Sequence, residues 1–179
     1  AQVLDIHRGD KMNVLVSMDT KPLNIPEHLI NNRGMDPDSA YNFANGQHTM
    51  TMISTENGKT LQIQHDVTSP RPYSRMYQVS GTKGYANKYP VEGYAIEDEG
   101  EGFSSHDFLS QDNMNMLMDK YKHRIHRELE EKAKEVGGHG GMDFIMDYRL
   151  IYCLRNGLPL DMDVYDLAEW CSLVELSRI

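Results

Sequence analysis

Thr49-Met50-Thr51-Met52-Ile53-Ser54-Thr55-Glu56-Asn57-Gly58-Lys59-Thr60-Leu61-Gln62-Ile63-Gln64-His65-Asp66 is the stretch that decides the fold class. Its two flanks alternate with a period of two, as side chains do on a half-buried strand. Asn57-Gly58 between them is a hairpin signal, because both positions of a tight hairpin turn want positive φ. Upstream, Met12 to Met18 reads as an apolar strand; downstream, Met76 to Ser80 and Gly84 to Ala86 continue the pattern across the turn Gly81-Thr82-Lys83. One antiparallel meander is the simplest topology. The excursion from Pro22 to Gln47 holds at most a short helix, near Pro37 to Ala44.

The second half changes period. Met114, Leu117, Met118, Tyr121 and Ile125 recur at helical spacing, and the pattern runs on through Leu129 to Val136 as one long amphipathic helix. Met142 to Leu154 is apolar nearly all round and so reads as a buried helix, ended by Asn156-Gly157-Leu158-Pro159 through a glycine C-cap and a trailing proline. Asp163 caps a last helix carrying Tyr165, Leu167, Trp170 and Leu173. Strands followed by helices, rather than alternating with them, predict an α+β fold: an open, mainly antiparallel sheet with helices on one face. The sheet's other face then needs a partner.

At 179 residues the chain is one domain, 1–179, long enough for a proper core. A formal charge of −9 and a pI near 5.3 exclude a nucleic-acid backbone as partner, since phosphate binding needs a basic surface. No apolar run reaches the roughly 20 residues of a membrane span. Glu97-Asp98-Glu99-Gly100-Glu101 reads as a solvated loop. Cys153 and Cys171 lie in apolar helical contexts without metal or redox spacing, and read as buried free thiols. His123 and His126, three apart on a helix, sit among Lys122, Arg124 and Arg127 and read as a solvated basic face, so no metal is assigned. Val3 to Ile6 and Val174 to Ile179 look like interrupted secondary structure, as in an excised domain.

Two segments carry candidate chemistry. Gly137-Gly138-His139-Gly140-Gly141 stands between two helical stretches, where one glycine would serve as a link. Four glycines suggest a loop shaped to bring backbone close to a ligand, with His139 meeting it; a helix cap followed by a slack linker is the plain alternative. Gln64 to Arg75 follows an alternating stretch, and its prolines, Pro70 and Pro72, stiffen a turn at a strand end. That turn presents Arg71, Tyr73 and Arg75 where rigid loops concentrate functional side chains. His65 reads equally well as an ordinary strand-end residue.

Together, Gln64 to Arg75, Gly81-Thr82-Lys83-Gly84, the Gly137 to Gly141 loop and Met142-Asp143-Phe144-Ile145-Met146 resemble the C-terminal domain of glycoside hydrolase family 109, within the glucose-fructose oxidoreductase superfamily. The resemblance runs from His7-Arg8-Gly9-Asp10 to the last helix. It implies a two-domain NAD-dependent α-N-acetylgalactosaminidase, in which an N-terminal Rossmann domain holds NAD and this domain closes over an N-acetylgalactosamine-containing glycoside. No Gly-x-Gly-x-x-Gly fingerprint follows a strand here, so that domain is absent from this chain and the chain alone is expected to be inactive. The implied chemistry is oxidation of the sugar at C3, removal of the C2 proton, elimination at C1, water addition and return of hydride, unlike the two-carboxylate scheme. His139 matches the family's glycine-loop histidine, an acid or base at the leaving-group oxygen, and Tyr73 matches its active-site tyrosine near C2 and C3. Arg71, Arg75, Gly138 and Gly140 are the candidate substrate-binding residues, and a homodimer through the sheet face is expected. Related enzymes point to a periplasmic or secreted bacterial parent. A sugar or polyol dehydrogenase of the same superfamily, or a non-catalytic oligomerisation module, are the competing readings.

Overall fold

A computed structural model describes residues 2–43, 45–66, 68–97, 104 and 106–178. Most of the acidic loop read from Glu97 to Glu101, and Ala44, Val67 and Ile179, lie outside the described residues. The fold is α+β, with two small antiparallel sheets and six α-helices among the described residues. The chain divides into two compact units, Ala1–Arg71 with Asp161–Ile179, and Pro72–Leu160.

The first unit contains a short 3-10 turn at Gln2–Leu4, strand β1 (Met12–Asp19), helices α1 (Asn24–Arg33) and α2 (Pro37–Ala40), strands β2 (His48–Thr55) and β3 (Thr60–Asp66), and, after the second unit, the last helix, Val164–Leu176. β1, β2 and β3 pair in that order. Leu15, Ile53 and Leu61 stand in register on one face, where Ile53 is fully buried. Val16 opposite Met52 and Met18 opposite Met50 share the other face and are exposed. The β2–β3 turn is the four-residue loop 56–59, and only Gly58 in it has positive φ. Asn57 does not need the left-handed region because its backbone N–H donates to Asp10 Oδ1 at 3.1 Å and its side chain to the Gly9 carbonyl at 2.8 Å.

Helix α1 was not anticipated from the sequence. Leu23 precedes it without a side-chain cap and Pro26 falls in its first turn, where a missing N–H costs no helical bond. Its end is conventional, with Gly34 at φ 64° donating to the Leu29 carbonyl.

The second unit holds β4 (Gln78–Ser80), β5 (Gly84–Asn87), β6 (Gly93–Ile96), α3 (Gln111–Tyr121), α4 (Arg124–Val136), a 3-10 turn at His139–Gly141 and α5 (Met142–Asn156). β4, β5 and β6 form their own sheet, so the expected single meander is two separate three-stranded sheets. The proline-rich turn separates them, since proline lacks the N–H a central strand must donate. The Tyr85 and Phe108 rings stack at 6.0 Å between centroids, and Leu109 is buried.

The expected long helix is also two helices. Lys122 and His123 adopt extended ψ of 120° and 144°, and the His123 imidazole accepts the Ile125 backbone N–H at 3.2 Å, capping α4. Arg127 donates to the Asp119 and Lys122 carbonyls at the break, the first of which also accepts the Lys122 N–H. Helix α5 ends as read, with Gly157 at φ 62° donating to Cys153 O. It is not a buried helix: Met146, Ile151 and Leu154 are 52–60% exposed, and Cys153 is its one buried residue. Cys171 likewise is exposed rather than buried. The last helix of the chain, α6 (Val164–Leu176), opens with a capping box, Asp163 accepting from the Tyr165 and Asp166 N–H groups while Asp166 accepts from Asp163 N–H.

Among the described residues no helix is long and apolar enough to cross a membrane.

Candidate active site

The loop between α4 and α5 is left-handed throughout: φ is 87° at Gly137, 77° at Gly138, 47° at His139, 71° at Gly140 and 96° at Gly141. Five such residues in succession are tolerable only where most lack a Cβ, since an ordinary side chain costs roughly 1–2 kcal/mol at each. His139 is the exception in the run. Two glycines are required by space as well. A Cβ on Gly141 would stand 2.7 Å from the Ala133 carbonyl carbon, and one on Gly138 would stand 2.9 Å from Asp143 Oδ2. The linker is therefore not slack, because the loop is packed down on the end of α4 and around one carboxylate, although Gly137 caps α4 and His139 is solvent-exposed as the plain alternative has it.

That carboxylate belongs to Asp143, in the first turn of α5, and its Oδ2 lies 2.8 Å from His139 Nδ1. The His139 side chain is 70% exposed and that of Asp143 43%. A proton on Nδ1 donated to Asp143 fixes the ring's orientation and leaves Nε2 to exchange a proton with a ligand. Asp143 was missed in the sequence reading. Its signal was the i to i+4 interval from His139, obscured because the interval crosses from loop to helix.

An open groove of about 490 Å³ begins at this loop. Val136, Gly137 and Gly138 line one end, and Asp143, Phe144, Asp147 and Tyr148 continue it along α5.

The proline-rich turn splits at the boundary between the two units. On the first-unit side, Asp66 at the end of β3 accepts the Thr68 and Ser69 N–H groups at 3.3 and 3.1 Å, and Arg71 Nη1 lies 3.6 Å from its carboxylate. These bonds, those from Ser69 first, hold the Asp66 carboxyl below the usual carboxylate range. On the second-unit side, Arg75 Nε donates to Tyr73 Oη at 2.5 Å, and its guanidinium carbon is 5.8 Å from that ring's centroid. Tyr73 is 75% exposed, so its phenol is held by Arg75 yet open to a ligand. His65 is exposed on edge strand β3, opposite Thr49. His123 is a helix cap, and among the described residues no three His, Cys, Asp or Glu side chains converge on a metal site.

A dinucleotide cradle of the Rossmann kind needs parallel strands and a glycine-rich turn from strand to helix. Both sheets here are antiparallel, and the glycine-rich loop joins helix to helix. This chain's described residues do not fit NAD in that way.

These features define an α+β domain with a histidine–aspartate pair on a rigid loop beside an open groove. The chain matches the family described as Glycosyl hydrolase 109, C-terminal domain, over residues 1–179. It is similar to Glycosyl hydrolase family 109 protein 1 of Phocaeicola vulgatus, 58% identical over 99% of this chain and 39% of the relative. The family 109 protein of Porphyromonas gingivalis is 59% identical over the same shares, and protein 1 of Bacteroides thetaiotaomicron 57%. The chain belongs to glycosyl hydrolase family 109. It spans about two fifths of the length of these curated relatives.

Proposed function

We propose that this chain is the sugar-facing part of an NAD-dependent enzyme that hydrolyses N-acetylgalactosaminides by transient oxidation and elimination. The observation that carries the reading is the His139–Asp143 pair at 2.8 Å, between a glycine-rich left-handed loop and the first turn of α5. His139 Nε2 exchanges the proton of the leaving-group oxygen, with Asp143 orienting the ring. Tyr73, held by Arg75, moves or orients the proton at sugar C2. Arg71, tied to Asp66, stiffens the turn that carries Tyr73, and Gly138 and Gly140 let the sugar approach the backbone. NAD is held by residues outside this chain, which by itself is inactive.

The test uses the full-length protein with NAD, turning over aryl α- and β-N-acetylgalactosaminides in deuterated water. Turnover with deuterium at sugar C2, lost in His139→Ala, is expected. NADH accumulating without glycoside cleavage would make this a dehydrogenase domain, and no turnover would leave an interaction module.

We also propose that the full-length protein pairs through the first unit's sheet. Val14, Val16, Met18, Met50 and Met52 form a contiguous strip, each 38–71% exposed. Its neighbours across the sheet are Thr60, Gln62 and Gln64, and Asp66, at the end of the same face opposite His48, has Arg71 beside it, so the strip itself carries no charge and meets an identical copy without like-charge repulsion. Val16→Glu with Met52→Glu is expected to turn a dimer into a monomer in sedimentation; a native protein that sediments as a monomer refutes this.

A further inference from the structure

Asparagine followed by glycine is the dipeptide most prone to rearrange without an enzyme, because glycine has no side chain to shield the backbone nitrogen that attacks the asparagine amide. The chain has three such pairs, Asn45-Gly46, Asn57-Gly58 and Asn156-Gly157, and their surroundings differ. Asn57 Nδ2 donates to the Gly9 carbonyl at 2.8 Å, and the Gly58 N–H donates to the Thr55 carbonyl at 3.1 Å. Asn156 ends α5, where its Nδ2 donates to the Tyr152 carbonyl at 2.7 Å and the Gly157 N–H donates to the Cys153 carbonyl. In both pairs the amide to be attacked and the nitrogen that must attack it are tied to separate carbonyls.

Asn45-Gly46, between α2 and β2, is arranged the other way. The Asn45 side chain is exposed and makes no hydrogen bond to a described residue. The Gly46 N–H points at a carboxylate instead of a carbonyl, donating to Asp19 Oδ2 at 3.3 Å. A carbonyl acceptor leaves the proton where it is, whereas a carboxylate can take it and give it back. Packing holds the glycine there. A Cβ on Gly46 would run into the Thr20 carbonyl oxygen and stand 2.6 Å from Asp19 Cβ, so only a bare backbone lies this close to that side chain.

We propose that Asn45 is a site of spontaneous modification, where Asp19 assists closure of a succinimide and the backbone ages to isoaspartate. The Gly46 nitrogen bonds to Asn45 Cγ, its proton passes through Asp19 to the side-chain nitrogen, and the Cγ–Nδ2 bond breaks to release ammonia. Water then opens the ring at either carbonyl, leaving aspartate or isoaspartate at 45. The product puts a second carboxylate near Asp19, and its iso form adds a methylene to the backbone two residues before Gln47. Gln47 is a brace: its Oε1 accepts the Asn24 N–H at 3.1 Å and its Nε2 donates to Ser69 Oγ at 3.0 Å, while Asn24 Nδ2 donates to the Thr68 carbonyl at 2.9 Å. Modification at Asn45 therefore slackens the 66–71 turn of the same unit from a distance. None of this depends on the glycosidase reading.

The test incubates the full-length protein in mildly alkaline buffer and follows each Asn-Gly pair by peptide mass spectrometry, with electron-transfer fragmentation to separate aspartate from isoaspartate. Conversion at Asn45 is expected to run at least about tenfold faster than at Asn57 or Asn156, since each of those must first give up a hydrogen bond to its amide. Asp19→Asn keeps an acceptor for the Gly46 N–H and removes the base, so it should slow conversion at Asn45 severalfold. Asn57 or Asn156 converting as fast as Asn45, or a rate indifferent to Asp19→Asn, would overturn the proposal. Hydrogen exchange reads the consequence. Amides of the 66–71 turn should exchange faster in aged native protein than in Asn45→Gln protein aged alongside, whose longer side chain closes its ring far more slowly. Equal exchange in a native sample carrying isoaspartate at 45 would refute the link to the turn.

Discussion

Two loops in this chain use the same rare backbone, and they differ in what surrounds it. Near the start, Asp5, His7 and Gly9 have φ of 60°, 63° and 123°. Every side chain around that turn is engaged. Arg8 grips Asp166 with two bonds of 2.8 Å, His7 Nε2 lies 3.0 Å from Glu169, and Asp10 takes Thr55 Oγ1 at 2.8 Å with backbone N–H groups from Lys11 and Asn57. Ile6 and Asp10 are buried at its centre. The 137–141 loop has a longer left-handed run, with one side-chain contact, His139 to Asp143, and an imidazole facing solvent. Positive φ in the first loop serves anchorage, tying the N-terminal segment to the last helix within one unit. In the second it serves presentation. Strain becomes a pointer to function only where the strained side chain is left free to act.

The contrast is broken most severely at His139. In the full-length protein, His139→Asn keeps a residue that tolerates left-handed backbone and removes the imidazole. Turnover should fall about 10²–10⁴-fold, with Tm held within about 2 °C, as for a surface substitution. A loss of Tm comparable to that of an Arg8 variant would mean that the second loop is an anchor like the first.

Gly141→Ala tests the frame instead of the reacting group. The added methyl meets the Ala133 backbone at a φ of 96°, so a loss of about 1–3 kcal/mol in unfolding free energy is expected. Gly9→Ala has nothing within 4 Å of its Cβ and should cost less, through backbone strain alone. Equal losses in urea titrations would remove the distinction between a packed loop and a merely left-handed one.

Asp143→Asn is the smaller change at the site. The amide still fits beside Gly138 and can accept from Nδ1, but a charge-assisted bond becomes a neutral one. A fall of about tenfold in kcat is expected, and unchanged kcat would reduce Asp143 to a loop strut.

Much of this was legible in the sequence because it depends on local rules. The 49–66 hairpin, the Gly157 terminus and the Asp163 cap each rest on residues within a few positions of one another, and the structure places all three. The glycine loop was legible for the same reason. What failed depended on side-chain contacts and pairings that neither periodicity nor a cap motif shows. The break at Lys122-His123 is stabilised by Arg127 reaching back to the carbonyls of Asp119, in α3, and of Lys122, in the break, which no periodicity shows. Helix α1 lacked an N-cap signal, and the two sheets share an alternation that does not say which strands pair. Asp143 was hidden by its neighbourhood. It begins an apolar helix, where an acidic residue reads as ordinary first-turn chemistry.

The smallest expected effect concerns acid. Arg8 holds the Asp166 carboxyl well below the ordinary carboxylate range, with the Asp163 N–H adding to it, and Lys122 with Lys134 holds Glu130 down at about 2. A carboxyl depressed in the folded state contributes stability above its unfolded pKa, and loses it as pH falls from there through the folded value. Both contributions are therefore complete at neutral pH and decline below about pH 4. The two units should differ in how much each loses. Asp166 is 1% exposed and ties the first unit's two chain segments together, whereas the Glu130 side chain is 33% exposed and its pairs are screened by solvent. Melting curves at pH 7, 5 and 3 should show a drop in Tm between pH 5 and 3 that Asp166→Asn flattens, while Glu130→Gln changes it by no more than about 2 °C. If the Glu130 variant flattens the acid limb as much, the ion pairs of the open unit hold it together as firmly as those of the anchored one, and the division of labour between the two loops does not extend to the units that carry them.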